Sequence, residues 1–154
     1  MKSHGYAVSD ARSPFASFSF ERREPVAGDV AMEILYCGIC HSDIHQVRNE
    51  WNDSVYPMVP GHEIVGRVTA VGPGVEKFKV GDLAGVGVMV DSCRVCANCR
   101  ANEESYCEKK FVGTYNAKGY DGTAMQGGYS NNMVCHERYA VSYTHLDVYK
   151  RQGW

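Results

Sequence analysis

Residues Val30 to Tyr36 form a run of bulky apolar side chains with a two-residue alternation, which predicts a strand with one face turned to a core. The run feeds Cys37-Gly38-Ile39-Cys40, where the glycine breaks the pattern. From His41 to about Val47 the spacing suits a short helix, with Ser42 or Asp43 available to its first turn. Cys40 then stands at a helix N-terminus, whose partial positive charge favours a thiolate. Tyr56-Pro57-Met58-Val59-Pro60-Gly61 is loop chemistry, because each proline biases the preceding residue away from helix and the glycine permits a turn. Ile64 to Val71 reads as the next strand, and Gly72-Pro73-Gly74 stops it.

A turn at Gly81-Asp82 leads into a mostly apolar run from Leu83 to Val90, whose glycines at 85 and 87 suggest a bulge or a close backbone approach in a curved sheet. Gly113 to Gly128 is rich in glycine and small residues, and Tyr129 to His136 returns to a strand pattern. Short strands, frequent turn signals and little helix predict a β-rich α+β fold built on a barrel or a similar curved sheet. The stretch from Ser142 to Trp154 continues none of these patterns.

Charge and length narrow the function classes. A chain of 154 residues suits one domain, and a formal net charge of −2 offers no basic field for a nucleic acid or an anionic membrane. The beginning, Met1-Lys2-Ser3-His4-Gly5-Tyr6, lacks the apolar core of a secretory signal, and no run has the length of a membrane span. A cytoplasmic protein with reduced thiols is expected. Seven cysteines leave at least one unpaired in any disulfide scheme.

Four of those cysteines form the strongest motif in the chain. Cys93, Cys96 and Cys99 are separated by two-residue gaps, and Cys107 follows after seven residues. Such gaps let neighbouring thiolates turn onto one ion, and four sulfurs close a tetrahedral shell around Zn²⁺ with no position for water or substrate. That is a structural zinc site; the alternative is a pair of disulfides in an oxidising compartment. Chemistry has to come from elsewhere. Cys40-His41-Ser42-Asp43-Ile44-His45 and Gly61-His62-Glu63 supply Cys and His, the ligand types of an open catalytic zinc with three protein ligands and one exchangeable position. Cys40 and His62 are two ligands; Glu63, Cys37 and Cys135 are the candidates for a third.

The segment Gly61-His62-Glu63-Ile64-Val65-Gly66, with Gly72 and Val75 beyond it, resembles the zinc signature of the medium-chain alcohol dehydrogenases, and the four-cysteine lobe resembles theirs as well. Cys37-Gly38-Ile39-Cys40-His41-Ser42-Asp43, Tyr56 to Glu63, and Gln126-Gly127-Gly128-Tyr129-Ser130 are similar to the cinnamyl alcohol dehydrogenase group of NADP-dependent aldehyde reductases. The resemblance implies a GroES-like catalytic domain over residues 1–141 with a projecting structural-zinc lobe. It implies Cys40 and His62 as catalytic zinc ligands, with Glu63 approaching or exchanging onto the metal. Ser42 becomes the hydroxyl that relays the alcohol proton and His45 its onward carrier, three residues apart on one helical face. Asp43 orients His62, His41 contacts the cofactor pyrophosphate, and Trp51 and Val112 line the substrate pocket. Ser42 could alternatively be a helix N-cap.

The same resemblance implies an enzyme exchanging hydride between primary alcohols and aldehydes with NADP(H), dimeric in its full-length form. Family members run to roughly 350 residues, two domains by size. No Gly-x-Gly-x-x-Gly dinucleotide fingerprint occurs in this sequence, so the family's Rossmann domain is expected to lie outside it, together with the third zinc ligand. Residues 142–154 are expected to be a read-through or linker tail, and the chain alone is expected to be inactive. The competing reading is a zinc-stabilised protein-interaction module without catalysis.

Overall fold

The computed structural model describes residues 1–143. Its centre is a five-stranded antiparallel sheet assembled from β3 (Asp29–Cys37), β4 (Ile64–Val71), β5 (Leu83–Val86), β10 (Asn132–His136) and β11 (Ala140–Ser142), in the order β10-β3-β4-β5-β11. The other strands are β1 (Lys2–Ala7), β2 (Ala16–Glu21), β6 (Met89–Asp91), β7 (Val112–Gly113), β8 (Ala117–Lys118) and β9 (Ala124–Met125), which pair off as β1-β2, β6-β7 and β8-β9. Among the described residues two short α-helices, α1 (His41–Val47) and α2 (Ala97–Arg100), and two 3₁₀ turns, Glu104–Tyr106 and Glu137–Tyr139, complete the regular structure, so the β-rich expectation holds.

The sheet curls because β3 slips against β4 twice, between Ala31 and Met32 and between Ile34 and Tyr36. Such bulges bend a strand and increase its twist. Inside the curl sit Val30, Met32, Ile64, Val68, Val86, Met133 and Ala140, each at most 1% exposed. Full burial of a Val, Ile or Met side chain contributes roughly 1.5–3 kcal/mol, and these residues converge from all five strands. In β4 the alternation is simple, with Ile64, Gly66 and Val68 inward and Arg67 and Thr69 outward.

Two sequence expectations change. The run Leu83 to Val90 is not one strand: the chain leaves the sheet at Gly87-Val88, where Thr114 donates its N–H to Val88 O at 2.9 Å, and restarts as β6 paired with β7. A continuous apolar pattern cannot reveal this, because both halves are buried against different partners. Likewise β10 begins at Asn132 rather than Tyr129. The backbone of residues 129–131 is used instead against β1, with Tyr6 N–H donating to Tyr129 O and Asn131 N–H to His4 O, each at 2.9 Å.

The start of the expected tail belongs to the fold. Ser142 closes β11 opposite Ala84, and Tyr143 N–H donates to Leu83 O at 3.0 Å. The rest of that expectation, residues 144–154, lies outside the described residues.

Candidate functional site

The cysteine lobe is an excursion between β6 and β7 whose own elements, a four-residue helix and a three-residue 3₁₀ turn at Glu104–Tyr106, are too short to be stable alone. Cys93, Cys96, Cys99 and Cys107 bring their Sγ atoms within 4.8 Å of one another. They are not disulfides: all seven cysteines are free, and Cys93 Sγ stands 3.8 Å from Cys99 Sγ, against about 2.05 Å for a bond. The surroundings stabilise thiolates, since Cys93 N–H donates to Cys107 Sγ and Cys96 N–H to Cys93 Sγ, both at 3.4 Å.

Cys107 is brought down to about 6, first by the Cys93 N–H and then by that of Lys109. Cys99 is lowered by its Ser92 hydroxyl contact at 3.1 Å but ends near 11, because burial and the neighbouring Cys96 and Cys107 sulfurs keep its proton on. Four thiolates this close cannot all ionise without a cation between them, and a soft divalent ion such as Zn²⁺ fits the donor set. Arg138 ties the lobe to the sheet, donating to Cys99 O and Asn102 Oδ1 at 2.8 Å and pairing with Glu104 at 2.5 Å.

The second cluster forms where β3 ends, α1 starts and β4 is about to begin. Cys40, His62 and Glu63 place one ligand atom each within 4.8 Å of the others. Cys40 is the N-cap of α1, and Asp43 accepts its N–H at 3.0 Å. Ser42 is therefore not the N-cap: it lies two residues into the helix, with Oγ 3.6 Å from Cys40 Sγ. The Cys40 thiol is lowered by the Ser42 backbone N–H, then by the Ser42 hydroxyl and by His62.

His62, 8% exposed, has Nδ1 3.2 Å from Asp43 Oδ1. With Nδ1–H given to the carboxylate, Nε2 keeps its lone pair for a metal. The bond to Asp43 raises the imidazole against the opposing effect of burial. Burial would lift Asp43, yet His62, the Cys40 N–H and Tyr115 together bring it below the ordinary carboxylate value. A cysteine, a histidine and an exposed carboxylate suit a borderline-soft divalent metal with an open position.

A strap running from Gln126 to Ser130 was legible only as a family motif, with no role attached to its residues. It is laced to the loop that delivers His62: Gly127 N–H donates to Val59 O at 2.7 Å, Gly128 N–H to Gly61 O at 2.8 Å and Tyr129 N–H to Pro60 O at 2.9 Å. A β-carbon on Gly127 would come within 2.4 Å of Pro60 O, so only glycine permits the approach. Gly61 sits at φ +102°, the left-handed region, immediately before His62. Arg22 holds the strap from the other side with bonds to Gln126 O, Gly127 O and Ser130 Oγ at 2.8–3.0 Å.

A cleft of about 460 Å³ opens beside the Cys40–His62 cluster, lined by Ser42, Gln46, Trp51, His62, Phe111 and Tyr115 among others. That volume is in the range of small-molecule sites. His45 is half-buried on α1, with its Nδ1 against the Glu50 carboxylate, its ring stacked on His41 with centroids 4.8 Å apart and the tilted ring of Trp51 at 5.2 Å. His41 is exposed at the start of the helix.

Val112 is placed elsewhere. It is 4% exposed in the core of the sheet and borders a different cavity, of about 330 Å³, beside Arg22 and Cys135. Its neighbours Phe111 and Gly113 border the cleft instead. Neither Cys37 nor Cys135 joins Cys40 and His62. Cys37 packs under Gly61 and Gly128, and Cys135, 1% exposed, is core. Tyr115 and Tyr129 reach the site without any local signal in the sequence, because their proximity is set by long-range pairing, whereas Gln46 and Glu50 arrive with α1 and the turn after it.

The family model for the alcohol dehydrogenase GroES-like domain matches residues 26–145. A probable mannitol dehydrogenase of Fragaria ananassa is 54% identical over 140 residues, which are 91% of this chain and 39% of that protein. The probable cinnamyl alcohol dehydrogenase 6 of Arabidopsis thaliana is 48% identical over 145 residues, 94% of this chain and 40% of its own length. Among solved structures, CAD from Helicobacter pylori complexed with NADP(H) superposes with a TM-score of 0.90 at 44% identity, covering 94% of this chain and 42% of that one. The chain thus spans about two fifths of the length of the relatives it matches.

Proposed function

Because the chain belongs to the alcohol dehydrogenase GroES-like domain family, we propose that it carries the metal- and substrate-facing part of a zinc-dependent alcohol dehydrogenase. The reaction is hydride exchange between a primary alcohol or aldehyde and NADP(H). The observation that carries this reading is the meeting of Cys40, His62 and Glu63 beside a cleft lined by Ser42 and Trp51, separate from the four-cysteine lobe. An interaction module would use the lobe but has no need of the second cluster.

Cys40 and His62 would hold the catalytic zinc, with Glu63 as the adjacent third donor in this chain. Bound there, zinc supplies Lewis acidity toward the oxygen of an aldehyde or alcohol. Asp43 keeps His62 Nδ1 protonated, which leaves the Nε2 lone pair available to a metal. Ser42, in the cleft wall, takes the alcohol proton, and His45, half-buried and bonded to Glu50, passes it toward solvent. Trp51 forms part of the substrate wall. His41, exposed at the head of α1, is available to a cofactor phosphate. Cys93, Cys96, Cys99 and Cys107 hold a zinc that shapes the lobe. We further propose a cytoplasmic, homodimeric holoprotein, the first in keeping with seven free thiols.

The test is functional complementation. The chain as given should reduce no cinnamaldehyde with NADPH, whereas residues 1–141 joined to the cofactor-binding remainder of the Helicobacter relative should do so. Replacing Ser42 by Ala in that chimera should lower kcat about 100-fold, in keeping with loss of a positioned proton-transfer group. An active four-cysteine lobe chimera that tolerates both Cys40→Ser and His62→Ala would sink the catalytic reading.

A further inference from the structure

We infer that Tyr129 is a positioning residue for His62, acting through Asp43: its hydroxyl completes the set of donors that holds the carboxylate against the imidazole. The inference rests on Cys40 and His62 being ligands of a metal, and it adds a residue to that site from 86 positions further along the chain.

Each oxygen of Asp43 accepts two hydrogen bonds. Oδ1 takes the Gly61 N–H at 3.1 Å and His62 Nδ1 at 3.2 Å; Oδ2 takes the Cys40 N–H at 3.0 Å and the Tyr129 hydroxyl at 3.1 Å. An ionised carboxylate has about four acceptor sites, so these bonds fill it. At 3% exposure Asp43 has little access to water that could replace a lost donor, and the Tyr115 hydroxyl, which also lowers Asp43, stands outside these four bonds. Two of the four donors are backbone, and the third is the imidazole being positioned. The Tyr129 hydroxyl is therefore the member of the set that a side-chain change removes while leaving the others where they are.

The rest of Tyr129 is held independently of its hydroxyl. Its N–H donates to Pro60 O and its carbonyl accepts from Tyr6 N–H, both at 2.9 Å. Its ring packs near Phe15, with centroids 6.1 Å apart, and against the space where Gly61 has no side chain. Phenylalanine reproduces all of these contacts. Without the hydroxyl, Oδ2 is left with one bond and the carboxylate gains freedom to turn about its terminal torsion, which loosens the ring of His62. Partners of metal-bound histidines are worth 10–100-fold in metal affinity, and a donor one bond further out belongs at the low end of that range.

The experiment is a Co²⁺ titration of the chain as given against a competing chelator. The four-thiolate site, with its intense sulfur-to-metal bands, is followed separately from the Cys40–His62 site. Tyr129→Phe should weaken the Cys40–His62 site about tenfold and leave the four-cysteine site unmoved. In an Asp43→Asn background the same change should weaken it less than about twofold, since the hydroxyl then has no carboxylate to hold. An affinity within twofold of the parent for Tyr129→Phe overturns the inference. So does a tenfold loss that persists in the Asp43→Asn background, or weakening at both sites, which would mark the hydroxyl as a support of the fold. If the parent chain takes up cobalt at the four cysteines alone, the catalytic-metal reading fails and carries the inference with it. Two cobalts with an unaffected Tyr129→Phe refute the role of Tyr129 and leave that reading standing.

Discussion

At the scale of single residues, the site is governed by Asp43. It accepts the N–H of Cys40 at the start of α1, orients His62 and receives Tyr129, so one carboxylate joins a helix, a loop and a strap. The two ionisable members of this contact give the metal-free chain a definite pH dependence. His62 is raised above its ordinary 6.5 by Asp43, so the folded state holds that proton more tightly than the unfolded chain. Its contribution is full below 6.5 and is lost as pH rises through the folded value. Asp43 is lowered from its ordinary 3.8, so its contribution is present above 3.8 and is lost as pH falls through the folded value. In chelator-treated protein the difference in Tm between the parent and Asp43→Asn should be greatest near about pH 5 and shrink toward pH 8 and toward pH 3. A difference independent of pH would mean that the two groups do not interact as a charged pair. The position of Asp43 inside a helical pattern could be read locally; that its two oxygens would meet Gly61 and Tyr129 could not, because nothing in the intervening residues encodes that distance.

Among the elements, the cysteine lobe and the strap depend on different forces. The lobe has few apolar side chains of its own: Val95 and Tyr106 are exposed, and only Cys99 and Cys107 are buried within it. A metal held by its four sulfurs would therefore be its main source of order, as in other small metal-held units. Cys99→Ser should lower Tm by roughly 10 °C, the change produced by a loss of about 3 kcal/mol in a chain of this size. Amide exchange should rise over residues 93–107 before it rises in the sheet, and an unchanged melting curve would remove the structural role. The strap is held by backbone bonds to residues 59–61 and by Arg22, whose burial lowers its guanidinium to about 10. Here the sequence was informative in one direction only. The two-residue cysteine gaps announce a common ion whatever surrounds them, whereas Gln126 to Ser130 reads as an ordinary glycine-rich segment until the loop it clamps is known.

For the whole molecule, the two clusters differ in completeness, and this sets how the chain should handle metal. The lobe presents four sulfurs; the second cluster presents one sulfur, one imidazole and one exposed carboxylate. Protein purified without chelator should carry one zinc at full occupancy and a second at partial occupancy. Graded chelation should remove the second first, with the lobe's zinc leaving only as the fold melts; equal loss of both would contradict this ordering. Among the described residues no helix is long and apolar enough to cross a membrane.

The residues themselves determined the β-rich class, the bounds of β4, the helix over His41–Val47, and, as candidate ligands, the grouping of the four cysteines and the pairing of Cys40 with His62. Each follows from local periodicity or from ligand spacing along a short stretch. Tertiary structure alone decided that the apolar run after Gly81 divides at Gly87-Val88, that Val112 turns into the core while Phe111 borders the cleft, and that Tyr129 reaches Asp43. Those outcomes depend on which strands pair across long separations, and a side chain's chemistry does not specify its partner until the sheet has curled.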